Sequence, residues 1–199
     1  MEQPCPPGFA STTPAVSAAT PATPGASGVA APSAAPGSGG TAAPSKGPDG
    51  GTTCNDNDLS IGLSLWRQDS GQNVLVTATN VSGKPCTLYH YPYVGFGATI
   101  KGPLGPYGTP PRAIATIAPG QEAYAGVYLF RGGEATTAVD SLSLGYQDRT
   151  PGSNRDVGRL DLPLAARTGT LNAGHAAKVT YWNLGLRAVE DQLFRPGTS

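Results

Sequence analysis

The chain has 199 residues, and its 13 basic and 13 acidic side chains leave no formal net charge. This balance provides no sequence-wide field that would attract nucleic acid or an anionic membrane, so we expect neither partner. The 28 glycines and 20 prolines exceed ordinary usage, and much of the excess falls before Cys54, which is typical of a chain that is partly disordered and partly folded. No apolar run is long enough for a transmembrane segment.

Residues 1–53 consist almost entirely of small residues and proline, as in TPATPGASG at positions 20–28. Such a composition buries too little apolar surface to offset the entropy of ordering the chain. The sequence therefore predicts a disordered Ala/Pro/Thr/Ser/Gly-rich tether over 1–53. A neutral spacer is one interpretation, and a stalk O-glycosylated on its many Thr and Ser hydroxyls is the other.

After Cys54 the pattern changes to period two, which predicts strands. Alternation over 59–65 and 74–78, with the turn 69–72 between them, predicts a hairpin. A third strand is predicted from Cys86. Further strands, separated by Gly- and Pro-rich turns such as 102–106 and 172–174, are predicted over 94–100, 112–117, 122–131, 141–146, 157–164 and 177–182. Helical periodicity over 184–194 predicts a short terminal helix.

Eight or nine short strands with frequent turns indicate an all-β fold. The sequence predicts one domain over 54–199, an immunoglobulin-like antiparallel β-sandwich behind the disordered N-terminal linker.

The three cysteines lie at positions 5, 54 and 86. A pair in the folded part with one left over suggests one bridge and one odd thiol. A disulfide between Cys54 and Cys86 would close a loop of roughly 33 residues and remove about 3–4 kcal/mol of unfolded-state entropy. Because disulfides persist in oxidising compartments, this pairing favours an extracellular or cell-envelope location.

The stretch TNVSGKPCTLYHYPYV at 79–94 resembles the core of an actinobacterial domain of unknown function, number 4232. The step Ile117–Ala123, and Cys54 followed by Leu59, are similar to two further elements of that family, so the resemblance covers roughly 54–151. His90 replaces the glycine that usually precedes Tyr-Pro, and the family's later, second cysteine pair is missing.

This resemblance implies a secreted protein or lipoprotein behind a low-complexity linker, with no associated enzymatic activity. It also matches Cys54 and Cys86 to the family's first cysteine pair. It supplies no catalytic residues.

The N-terminal sequence MEQPC lacks the basic and apolar regions of a signal peptide. We therefore expect that the natural start lies upstream of Met1, or that Met1 was added to a trimmed form. Cys5 would then lie near a membrane anchor or a lipidated end, although the residues before it do not resemble a lipobox.

Two patterns resemble metal sites but lack required ligands, so we predict no metal. Residues 55–60 offer oxygens at alternate positions, but Ile61 and Arg67 stand where an EF-hand-like loop needs Gly and Glu. We expect turn-forming Asx residues there instead. Cys86 and His90 have a Cys-x3-His spacing without the second pair that completes a zinc site.

The sequence contains no nucleophile elbow, phosphate-binding glycine loop or metalloprotease motif. We therefore predict no enzyme and no cofactor, and keep an unrecognised hydrolase as a third alternative.

Four aromatic residues are the strongest candidates for ligand binding: Trp66, Tyr89, Tyr91 and Tyr93. In a regular strand the three tyrosines share one face, although Pro92 must lie at an edge or a bulge. Exposed aromatic residues with polar tips bind sugars or protein partners. The structural alternative is that Tyr91 anchors the sandwich while the others pack under loops.

We predict from these observations a non-catalytic extracellular or cell-envelope module that binds a cell-wall or extracellular partner, and we expect a monomer. The alternative function is a glycan- or small-ligand-binding domain that uses the face of Tyr89, Tyr91 and Tyr93.

Overall fold

The computed structural model describes residues 52–66, 69–97, 100, 102–153 and 159–195. The predicted tether over 1–53 therefore lies outside the described residues, except for Thr52 and Thr53. These two already pair with Thr87. Thr53 forms a parallel bridge with it, and the Thr87 N–H donates to the Thr52 carbonyl oxygen at 2.9 Å. The two residues before Cys54 are therefore already part of the folded domain.

The described residues form eleven strands and one helix. In chain order they are β1 (Leu59–Leu65), β2 (Asn73–Asn80), β3 (Cys86–Gly95), β4 (Gly105–Tyr107), β5 (Ala115–Ile117), β6 (Glu122–Tyr128), β7 (Thr136–Val139), β8 (Ser141–Gln147), β9 (Leu160–Pro163), β10 (Leu171–Gly174), β11 (Lys178–Thr180) and α1 (Leu186–Phe194).

The strands form two larger sheets. The first has the order β1-β2-β6-β11-β4 and the second has the order β5-β3-β8-β9, while β7 and β10 form a separate pair. Neighbouring strands are antiparallel except β11 and β4, which are parallel. The predicted all-β, mainly antiparallel fold is confirmed.

Apolar residues of both larger sheets meet in one core, as a sandwich requires. The alternation in each strand decides which side chains enter it, because successive residues of a strand point to opposite faces. Fully buried members of this core are Val74, Val76 and Ala78 of β2, Ala123, Ala125 and Val127 of β6, Val94 of β3, and Leu142 and Leu144 of β8. Each large aliphatic side chain buried in this way contributes about 1.5–3 kcal/mol.

The predicted first hairpin is confirmed, because β1 and β2 pair in register from Leu59 with Asn80 to Leu65 with Val74. The terminal helix is also confirmed, as α1. The separate strand predicted over 94–100 is wrong. Strand β3 continues through Gly95, and beyond it Phe96 forms only an isolated bridge with Ile100.

Three short strands were not predicted from the sequence: β4, β7 and β10. Strands β4 and β10 occupy segments in which the Gly- and Pro-rich composition predicted turns.

A disulfide joins Cys54 to Cys86, with their Cα atoms 4.9 Å apart, which confirms the predicted pairing. It connects the segment before β1, in the five-stranded sheet, to the start of β3, in the four-stranded sheet. A disulfide of this kind indicates a non-cytoplasmic location. In the described part of the chain, no helix has the length and apolar character needed to cross a bilayer.

Candidate functional site

The tyrosines predicted to form a binding face lie mainly inside the protein. Tyr89 and Tyr93 are buried, with 5% and 1% of their surfaces exposed. Tyr91 is half-buried and packs edge to face against Tyr93 and Tyr181, with ring centroids 6.1 and 5.5 Å away. These side chains therefore do not form one exposed face, in contrast to the expectation from a regular strand.

Tyr89 lies in a part of β3 that is buried on both faces, and after it the strand is broken at His90, whose φ of 56° lies in the left-handed region. The register between β3 and β8 shifts between Tyr89 and Tyr93, so the simple alternation of faces is lost. Pro92 falls inside this irregular stretch, as its missing N–H requires. The His90 ring donates from Nε2 to the Arg149 carbonyl oxygen at 2.9 Å, since a carbonyl oxygen only accepts.

Trp66, the fourth predicted residue, lies in a groove of about 820 Å³ beside α1. The helix packs against β6 and β11, on the face of the five-stranded sheet that points away from the core. We call this space the α1 groove. The side chains lining it are Trp66, Asp69, Gln72, Asn73, Tyr128, Arg131, Arg187, Glu190, Asp191, Leu193, Phe194 and Arg195.

A glycine in β6 lets the helix approach the sheet closely. Val189 and Leu193, four residues apart on α1, are its buried residues and lie over Gly126. A Cβ atom added at Gly126 would stand 2.5 Å from Leu193 Cδ1 and 3.0 Å from Val189 Cγ1. Both distances are shorter than ordinary carbon contacts, so the position of α1 depends on this glycine.

Aromatic rings form one end and part of the floor of the α1 groove. Trp66 donates from Nε1 to Glu190 Oε1 at 3.3 Å, and its ring meets Phe194 edge to face at 5.4 Å. Phe194 is 44% exposed. Tyr128 stacks on Tyr107 with centroids 5.5 Å apart.

The charges in the α1 groove balance. Among the described residues that line it, three arginines (131, 187 and 195) face three acids (69, 190 and 191), so their formal charges cancel. The only ion pair among the described residues joins Arg195 to Asp191 at 3.6 Å. A groove of this kind has no long-range preference for a polyanion or a polycation.

Polar side chains at the β1–β2 turn are held by one another. Asp69 accepts from the Gly71 N–H at 2.9 Å and from Asn73 Nδ2 at 3.0 Å. The second contact orients the Asn73 amide, whose Oδ1 is buried and has no hydrogen-bond partner among the described residues. A buried, unpaired acceptor costs about 1–3 kcal/mol, so a donor that reached Oδ1 would recover this energy.

A family model described as a domain of unknown function, DUF4232, matches residues 54–183. The chain belongs to this family. The match runs well past the 54–151 region carried by the sequence motifs, so the C-terminal strands fit the DUF4232 domain although the second cysteine pair is missing. Neither the curated proteins nor the solved structures give a match.

The DUF4232 match ends at Asn183, before α1 begins at Leu186. The α1 groove is therefore built by the family domain together with a helix that lies beyond the matched region.

Residues of the two sequence patterns that resemble metal sites make other contacts in this DUF4232 domain. The Asn57 N–H donates to Asn55 Oδ1 at 2.9 Å, and Asn55 donates to Asp58, which confirms the expected Asx turn. Cys86 is in the disulfide. Across the described residues, no cluster of three or more His, Cys, Asp and Glu side chains could hold a metal ion.

Apart from Trp66, the residues of the α1 groove were not predicted as a site. The turn 69–72 and the helix were both read from the sequence, but nothing in either segment indicates that they face the same space. One signal was available: a glycine inside a strand often marks a close approach of another element. Gly126 is such a residue.

Proposed function

We propose that this protein is a non-catalytic binding module of the extracellular space or the cell envelope, and that the α1 groove holds its ligand. The observation that carries the proposal is the groove itself, which combines aromatic rings with planar polar side chains on one sheet and one helix. Its volume falls in the range of roughly 300–1,000 Å³ that is usual for ligand sites. The disulfide supports a location outside the cytoplasm.

The chemistry of the groove favours binding over catalysis. Among the described residues that line it there is no Ser, Cys or His, the usual nucleophiles and neutral-pH bases. Two of its acids already accept hydrogen bonds, Asp69 from Asn73 and Glu190 from Trp66. These contacts position the carboxylates as fixed acceptors for a ligand.

A glycan is the ligand class that these side chains favour. Aromatic rings offer an apolar surface with polar tips, on which the C–H face of a sugar can pack. Carboxylate, amide and guanidinium groups can each hydrogen-bond to hydroxyls. The glycan alternative, predicted from the sequence for the face of Tyr89, Tyr91 and Tyr93, therefore moves to the α1 groove, which contains the fourth aromatic candidate, Trp66.

Retention on insoluble cell-wall polysaccharide, followed by titration with its soluble oligosaccharides, tests this proposal. We expect Trp66→Ala to weaken binding at least tenfold, because it removes the aromatic wall and the donor to Glu190. Circular dichroism should show that the variant remains folded.

Val81→Ala is the matched control. Val81 is 61% exposed and follows β2 at the end opposite Asn73, roughly 24 Å along the strand, so its binding should equal that of the wild type. Equal binding by Trp66→Ala and the wild type would refute the groove as the site. Release of soluble sugar from the polysaccharide would refute the non-catalytic assignment.

A further inference from the structure

A second, smaller hollow of about 290 Å³ adjoins the α1 groove and shares Tyr128 and Arg131 with it. Its remaining lining residues are Tyr107, Glu134, Ala176 and Lys178. The two spaces meet at Arg131, so one ligand can extend from the α1 groove into the smaller hollow. We call the space lined by these six residues the carboxylate hollow.

We propose that the carboxylate hollow binds a carboxylate group of the ligand, a proposal that rests on the α1 groove being the binding surface. Two observations carry the inference: two cations that form no ion pair with a described acid, and a pair of stacked tyrosine rings.

Arg131 is the first cation of the hollow. Its guanidinium carbon lies 5.6 Å from the centroid of the Tyr128 ring, close enough for the cation to be attracted to the ring. The electrostatic effect of Tyr128, followed by that of Tyr107, raises the pKa of Arg131. The contact with Tyr128 favours a position of the guanidinium beside the ring, at the edge of the hollow. Among the described residues Arg131 forms no ion pair.

Lys178 is the second cation. Strand pairing places it directly opposite Tyr128, across β11 and β6, which puts their Cβ atoms about 5 Å apart. Its side chain forms no ion pair with any of the described acids.

The one acid of the hollow is engaged with the backbone. Glu134 accepts from the Ala176 N–H at 3.0 Å and from the Arg131 N–H at 3.2 Å. These hydrogen bonds lower the pKa of Glu134, so it is ionised at neutral pH. Its carboxyl group packs so closely on Gly174 that a Cβ atom there would stand 2.5 Å from it. Glu134 therefore secures the β10–β11 turn instead of neutralising Arg131.

The described residues of the hollow include two cations and one acid, so their formal net charge is +1. A monoanion matches this charge, whereas Glu134 would repel a phosphate dianion more strongly. A guanidinium group also fits a carboxylate in a two-pronged arrangement. The stacked rings of Tyr107 and Tyr128 provide an apolar wall for the carbon that carries the carboxylate.

The test is an NMR titration of the full chain with phenylacetate, with its neutral analogue phenylacetamide, and with inorganic phosphate. We expect phenylacetate to shift the backbone signals of Arg131, Ala176 and Lys178 saturably, and phenylacetamide to bind at least tenfold more weakly. Phosphate should also bind more weakly than phenylacetate.

Two variants and one control complete the test. Arg131→Gln should weaken phenylacetate binding at least tenfold and Lys178→Gln about threefold, whereas Lys84→Gln, which removes an exposed cation in the turn after β2 and outside both spaces, should leave it unchanged. Equal binding of phenylacetamide, tighter binding of phosphate, or no effect of Arg131→Gln would overturn the proposal. Because the probe is a small carboxylate, such a failure leaves the Trp66-dependent binding to polysaccharide as a separate result.

Discussion

The backbone of His90 adopts a conformation that glycine reaches without strain and that other residues usually avoid. At φ 56° a non-glycine residue loses roughly 1–2 kcal/mol. The hydrogen bond from its ring to the Arg149 carbonyl oxygen returns about 0.5–1.5 kcal/mol. The two contributions are similar in size, which accounts for a histidine at a position where the family pattern usually has glycine.

Two substitutions at His90 separate these contributions. His90→Gly relieves the strain but loses the hydrogen bond and makes the unfolded chain more flexible, so we expect the free energy of unfolding to change by less than about 1 kcal/mol. His90→Val should lower it by about 2 kcal/mol or more, since a β-branched residue tolerates positive φ poorly. Urea unfolding curves measure both. Equal destabilisation by the two variants would contradict the role assigned to the backbone.

The predicted tyrosine face is not formed because Tyr89 is buried before the break at His90 and the break changes the direction of the tyrosines after it. The replacement of glycine is visible in the sequence, and so is the need for a bulge at Pro92. The side-chain directions are not, because a strand assigns residues to faces only while its dihedral angles stay regular. A single left-handed residue changes this assignment for the residues after it, and Tyr93 becomes buried.

At the scale of elements, the position of α1 depends on the contact between Leu193 and Gly126. Only two buried side chains, Val189 and Leu193, hold the helix to the sheet, so a small displacement at this contact would alter the α1 groove. The groove is therefore sensitive to a substitution in β6 that does not line it.

Gly126→Ala tests this dependence. Overpacking of a close contact lowers the free energy of unfolding by about 1–3 kcal/mol. This loss exceeds the gain of roughly 0.4–1 kcal/mol that alanine provides by making the unfolded chain less flexible. We expect a lower free energy of unfolding and weaker polysaccharide binding. Gly62→Ala in β1 is the control, since a Cβ atom there meets Thr77 at an ordinary 3.8 Å. A Gly126→Ala variant that matches Gly62→Ala in both measurements would rule out this dependence.

The elements differ in how far the sequence predicts them. Strands with long alternating runs, such as β1 and β2, and the helix 184–194 follow from periodicity. Strands β4, β7 and β10 have only three or four residues, too few for alternation to be distinguished from a turn. Their pairing is decided by the neighbouring strand, and the docking of α1 on β6 is likewise a tertiary effect that local pattern does not contain.

At the scale of the whole molecule, the N-terminal and C-terminal strands are held in different ways. The disulfide ties the segment before β1 to the start of β3, whereas β8, β9 and β11 are held by strand pairing and the core. The missing second cysteine pair therefore leaves the later strands dependent on strand pairing and packing. Reduction of the disulfide should therefore lower the stability of the protein mainly by freeing the loop between Cys54 and Cys86 in the unfolded chain.

The double variant Cys54→Ser/Cys86→Ser measures what this bridge contributes. Opening a loop of roughly 33 residues should lower the free energy of unfolding by about 3–4 kcal/mol. A domain typically has a free energy of unfolding of roughly 5–15 kcal/mol, so this loss is a large share of it. The Cys54 N–H bond to the Thr87 carbonyl oxygen, 3.0 Å long, does not involve sulfur, so the native fold should persist at reduced stability. Urea unfolding of the wild type with reductant should then match that of the double variant, on which reductant has no effect. If reductant leaves the wild-type curve unchanged while the thiols are shown to be free, the bridge does not stabilise the fold, and strand pairing with Thr87 holds the N-terminal segment by itself.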